Sequence, residues 1–181
     1  MIIRNPLVWF RRVRHRRGYG IHSPFAFGLV TQVIYSPGMF YAYRWLDKLH
    51  PWYVRSFRLR PLAVHRLLFR LANHFQPRLI AAPGLTPVEW NYLHEGCRHA
   101  TIDPAMPRGI ADMLLLRNDE PEWVTHVGEK SLLVVCDLRH NQKLWHTVSA
   151  NSHTRVTFDL YDIGLAFFNP NLQREDYIIN W

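Results

Sequence analysis

RLIAAPGLTPVEWNYLHEGCRHATID, Arg78 to Asp103, is the stretch whose rhythm decides the fold. A short apolar run from Arg78 to Ala82 is cut by Pro83 and Gly84, and a second, from Arg98 to Ile102, runs into Asp103. Between them Thr86-Pro87-Val88-Glu89 reads as a capping box, in which the threonine hydroxyl accepts a first-turn N–H and the glutamate returns a bond to the cap. The pattern predicts strand, turn, helix through His94, and strand again, the repeating unit of a parallel sheet.

Downstream the rhythm continues. Ala111 to Leu116 reads as a third strand, Pro121 to Gly128 as a short helix, and Ser131 to Asp137 as a fourth strand with the continuous apolar core of a doubly covered sheet. His140 to Ala150 is predicted helical. Val156 to Leu160 and Leu165 to Phe168 are strands too close in sequence for a parallel crossover, so they should pair antiparallel. The class is α/β, a doubly wound, mostly parallel sheet with a C-terminal antiparallel hairpin. Ligands of such sheets bind beyond the carboxyl ends of the strands, here Ala82-Pro83-Gly84, Asp103-Pro104, Arg117-Asn118-Asp119 and Asp137-Leu138-Arg139.

Upstream lies a helical extension, taken as residues 1–76 ahead of a body at 77–181. Asn5-Pro6 starts a helix to about Arg17, Gly18 and Gly20 break it, and Ser23-Pro24 caps a second helix through Phe25, Phe27, Val30 and Ile34. A short helix is expected around Trp45, ending before Pro51. From Pro61 to Phe75, Val64, Leu67, Leu68, Leu71 and Phe75 keep helical spacing, with Arg66, Arg70 and Asn73 on another face.

Charge divides the chain as well. Residues 1–70 carry 13 Lys/Arg against one acid, Asp47, for +12, whereas residues 71–181 carry 9 against 13, for −4. The basic arm suits a phosphate-rich partner, and equally its own acidic body or a twin subunit in a homodimer. Trp9, Phe10, Tyr19, Trp45, Trp52 and Tyr53, interleaved with arginines, suit stacked bases of RNA or single strands, or buried rings with arginines snorkelling around them. Leu7, Phe10 and Val13 make too narrow an apolar stripe for a membrane-surface helix. No run nears the roughly 20 apolar residues of a membrane span, and five arginines from Arg11 to Arg17 stand where a signal peptide needs an apolar core. A cytoplasmic location is the expectation. Cys97 and Cys136 form no CxxC pair and read as packed, reduced thiols.

Two segments resemble the class I S-adenosylmethionine-dependent methyltransferases, and especially a small bacterial branch with a helical N-terminal extension. Gly18-Tyr-Gly-Ile-His-Ser-Pro-Phe-Ala-Phe27 is similar to that branch's Gly-x-Gly-Ile-His-Ser-Pro-Phe signature, and Val156 to Tyr177 to its closing hairpin. The resemblance implies a Rossmann-like, seven-stranded sheet. Its first strand ends in a glycine-rich loop approaching the methionine part of the cofactor, and its second in an acid that accepts bonds from the ribose hydroxyls. Asp103, 19 residues beyond Gly84, takes the place of that acid, and Gly84 and Asn118 are the other cofactor-binding candidates.

Two departures from the family pattern bear on activity. Ala81-Ala82-Pro83-Gly84-Leu85-Thr86-Pro87 has one glycine between two prolines, and each proline removes a backbone donor and fixes φ. Only seven residues separate Asp103 from Ala111, too few for the crossover and strand the family inserts there, so one edge strand is expected to be lost.

Other candidates stay open. Asp137 either faces a substrate or metal, at a place where the branch has an acidic pair, or caps the helix near His140. His22, within the signature, either lines the cleft or bonds a backbone carbonyl beside the Ser23 cap; with Asp137 it is the candidate for catalysis. His94, His99 and His140 lack zinc-ligand spacing, and no metal is expected. There is no Gly-x-Ser-x-Gly elbow and no Walker loop. Three readings follow. The first is a degenerate, pseudoenzyme-like methyltransferase relative that binds a ligand or partner, with S-adenosylmethionine binding weak or lost. The second is an active methyltransferase of unknown acceptor, and the third a nucleic-acid binder acting through the arm.

Overall fold

A computed structural model describes residues 21–49 and 62–181. The helix expected over Asn5–Arg17, Gly18 to Gly20 of the signature, and Trp9, Phe10, Tyr19, Trp52 and Tyr53 lie outside the described residues.

Ser23 caps helix α1 (Pro24–Leu29), its hydroxyl accepting from Ala26 N–H at 3.4 Å, with Pro24 in the first turn. The chain then widens into a π-helical turn, Val30–Ile34. Such a turn leaves carbonyls needing partners. Arg70 supplies them: Nε donates to Val33 O at 2.6 Å and Nη2 to Ile34 O at 3.1 Å. Arg70, which helical spacing sets on another face from the apolar set, is buried there as the clasp between two helices.

A short helix α2 covers 43–49, around Trp45 as the sequence predicts. Helix α3 (Leu62–Phe75) buries Val64, Leu67, Leu68 and Leu71 in one cluster with Ile80, Met113, Leu115 and Val134 of the sheet. Asp47 ties α2 to its neighbours, accepting from the Arg66 guanidinium and from Tyr92 Oη at 2.9 Å.

Seven strands make the sheet: β1 (Leu79–Ala81), β2 (Thr101–Asp103), β3 (Met113–Leu116), β4 (Leu132–Cys136), β5 (Val156–Asp159), β6 (Ile163–Phe167) and β7 (Glu175–Ile178). Helices α4 (Pro87–Gly96) and α5 (Gln142–Ala150), with a 3₁₀ segment at Pro121–His126, complete the body. The strand order is β2-β1-β3-β4-β6-β5-β7. β1 to β4 run parallel, β6 is antiparallel to both β4 and β5, and β7 pairs parallel with β5. This is the mixed, mostly parallel sheet expected.

One edge of the sheet follows the expectation and the other departs from it. Among the described residues no strand lies between β2 and β3, so β2 is an edge. At the other margin Glu175–Ile178, where the sequence shows only a distal Asp-Tyr, adds a strand. Its burial alternates, as an edge strand facing water on one side should.

Candidate functional site

The carboxyl ends of β1 to β4 share one edge of the sheet. After β1 the chain turns at once, with Pro83 and then Gly84 at φ 70°, and Leu85 N–H closing onto Ala82 O at 3.0 Å. Proline followed by a left-handed glycine is the chemistry of a type II turn. Ala82 N–H donates to Asp103 O at 2.8 Å, so the ends of β1 and β2 are joined.

The capping box then forms as the sequence predicts. Thr86 N–H and Oγ1–H donate to Glu89 Oε2 at 3.0 and 2.7 Å, and Glu89 N–H returns to Thr86 Oγ1 at 3.3 Å. From Ala82 to Glu89 the amides of Ala82, Leu85, Thr86 and Glu89 are engaged within the protein. Pro83 and Pro87 have none, which leaves the amides of Gly84 and Val88.

Arg117, the first residue past β3, reaches across this turn. Its Nε donates to Gly84 O at 2.9 Å, and its Nη2 donates to Glu89 Oε2 at 2.6 Å. The side chains of this ion pair are only 14% and 2% exposed. A Cβ on Gly84 would stand 3.4 Å from Arg117 Cδ, which shows how closely the arginine stem lies over the turn.

The seal continues along the same edge. Asn141 Nδ2 donates to Arg117 O and Cys136 O, both at 2.8 Å, stitching the end of β3 to that of β4. Past β4, Arg139 pairs with Asp162 at 3.0 Å and lies over the Tyr161 ring at 5.0 Å.

Of the predicted site residues, Gly84 and Asp103 come together on adjacent strand ends. Asp103 is half-buried, and its Oδ1 accepts from Ala105 N–H at 2.9 Å. Asn118 is exposed just beyond Arg117. Asp137 is exposed at φ 50°, and its backbone carbonyl accepts from His140 N–H at 2.8 Å and Asn141 N–H at 3.1 Å. The helix starts at Gln142, two residues later than the sequence suggests, because this turn comes first.

His22 stands elsewhere. It lines a cavity with Ser23, Phe25, Leu172 and Glu175, next to β7. Phe25 meets Phe167 there edge-on at 5.0 Å, and Phe167 pairs with Leu132 at the start of β4. His22 is therefore at the amino edge, away from Gly84 and Asp103. Among the described residues no three His, Cys, Asp or Glu side chains group as metal ligands. His94 stacks on Trp90, and His99 lies 3.5 Å from Cys97 Sγ. Cys97 and Cys136 are buried and unpaired, and burial pushes the Cys97 thiol pKa up.

Arg117 and Glu89 were visible in the sequence only as a strand end and a cap. What could have signalled the pair is an arginine directly after a strand, opposite a turn too poor in glycine to admit a ligand's backbone contacts.

No known family model and no curated protein matches the chain. Solved structures do resemble it. A methyltransferase from Geobacter sulfurreducens is similar over 74% of this chain and 91% of its own, at 15% identity and a TM-score of 0.55. An SAH-bound methyltransferase from Podospora anserina is similar over 93% of this chain and 98% of its own, at 9% identity and a TM-score of 0.57. Identities this low speak to architecture alone, and the seven-stranded, mostly parallel sheet with its antiparallel hairpin agrees with the architecture that the resemblance implied. The chain has the α/β fold of the class I methyltransferases.

Proposed function

We propose that this protein keeps the methyltransferase fold as a scaffold for binding a ligand or partner and does not carry out methyl transfer. One observation carries the reading: the Arg117 guanidinium, bonded to Gly84 O and Glu89, spans the turn where a cofactor's methionine end would need open backbone. The residues present do not fit that end of S-adenosylmethionine. A proline-bounded turn offers few donors, and displacing Arg117 would break a buried ion pair with Glu89. Asp103 suits a ribose better, although one of its oxygens is already held by Ala105 N–H.

A second reading, an active enzyme with an unknown acceptor, draws support from Asp103 lying beside Gly84 across paired strand ends. Calorimetric titration of the full chain with S-adenosylmethionine and S-adenosylhomocysteine separates the two. The proposal expects no binding tighter than about millimolar, a binding free energy near −4 kcal/mol, and no change in Asp103→Ala. Micromolar binding that Asp103→Ala abolishes would reject it in favour of the active enzyme.

A further inference from the structure

At the amino edge of the sheet, opposite the Arg117 seal, lies a cavity of about 480 Å³ lined by Val124, Val127, Gly128, Phe168 and Pro170 with Glu129, His153 and Arg155. Its place follows from the topology. Gly128 and Glu129 lead into β4, His153 and Arg155 lead into β5, and Phe168 and Pro170 follow β6. The strand ends that create it are pinned: Arg155 N–H donates to Phe167 O at 2.8 Å, and Gly128 N–H to Ser131 Oγ at 2.8 Å.

The chemistry of the lining is unbalanced. The floor is apolar, with Phe168 buried against Trp123. Arg155 is half-buried, yet its guanidinium has no hydrogen-bond or ion-pair partner among the described residues. The other half-buried arginine of the body, Arg117, is engaged by Glu89. A guanidinium at the wall of an apolar cavity with no protein partner keeps its fork of donors free for a ligand, and a planar carboxylate is what that fork fits. The His153 side chain, exposed at the rim, likewise has no partner among the described residues.

We propose that this cavity is a binding site for a small apolar or aromatic monocarboxylate, its body on Val124, Val127 and Phe168 and its carboxylate on Arg155. The volume falls within the roughly 300–1,000 Å³ range of small-molecule pockets. Glu129 on the same rim repels a second anionic group, so the site selects monoanions over dianions. This site is independent of the carboxyl edge, and its test does not depend on whether the cofactor binds.

The test uses the full chain and two probes of one shape, 1-naphthoate and its neutral amide 1-naphthamide, titrated while backbone amide NMR signals are followed. The expected result is shifts at Gly128, His153 and Arg155, with the carboxylate binding about tenfold or more tighter than the amide, the scale of a hydrogen bond to a charged group. Arg155→Gln removes that preference and Arg155→Lys keeps part of it, with thermal melts confirming that both variants fold. Equal affinity for the two probes, no binding of naphthoate, or shifts centred away from these residues would each overturn the proposal. The wild-type comparison alone suffices if a variant fails to fold.

Discussion

Arg117→Ala removes the cation that closes the carboxyl edge. In the native protein the two side chains of the pair are 14% and 2% exposed, so both charges are held largely out of water. Deleting one partner of a buried pair costs about 3–5 kcal/mol, because the survivor stays buried and loses its closest counter-charge. Glu89 would still accept from Thr86 N–H and Oγ1–H, and the shortened side chain would admit water. The loss should therefore fall at the low end, about 3 kcal/mol. For a chain of this size that lowers Tm by roughly 6–12 °C.

Glu89→Gln completes a double-mutant cycle. With Arg117 gone, neutralising Glu89 should cost less than it does in the native background, with a coupling of roughly 1–3 kcal/mol. Urea unfolding followed by far-UV circular dichroism and tryptophan fluorescence measures all four proteins. A loss below about 1 kcal/mol for Arg117→Ala, the range of solvent-exposed pairs, would refute the reasoning, as would coupling near zero.

Gly84→Ala should destabilise by about 1–2 kcal/mol, because φ 70° strains any residue with a Cβ; an unchanged urea midpoint would contradict the turn. Gly164→Ala places a methyl 2.5 Å from Trp145 Cζ3, an overpacking cost of about 1–3 kcal/mol that Trp145→Leu should partly relieve in the double variant. Burial, then the hydrogen bond to Asp47, raises the Tyr92 phenol above its usual 10.0. The unfolded chain therefore releases this proton first, so stability is full below about pH 10 and falls above it by roughly 1.4 kcal/mol per pH unit for this group. Thermal melts from pH 8 to pH 11 should show a shallower fall for Tyr92→Phe; parallel curves would sink the assignment.

Much of the architecture was legible because each signal acts locally. The capping box at Thr86–Glu89, the Ser23-Pro24 start and the apolar run of β4 specify their elements through neighbours within four residues. The short link between β5 and β6 likewise forced antiparallel pairing. β7 was missed because Glu175-Asp176-Tyr177-Ile178 is only four residues long and shows no alternation of polar and apolar types, and its pairing with β5 brings together residues about twenty apart. The role of Arg70 was hidden for a related reason. Helical spacing sets it on another face from the apolar residues, and nothing local reveals that the carbonyls of Val33 and Ile34 wait there.

The site divides along the same line. By itself the sequence determined that the turn after β1 has one glycine and two prolines, and that an acid ends β2, since both are matters of residue type at a position. Only the tertiary structure decided that Arg117 lies across that turn, that His22 falls at the opposite edge from Asp103, and that Arg155 faces an apolar cavity. These are meetings between residues far apart in the chain. They are set by which strands pair and in which direction, and not by the preferences of any one segment.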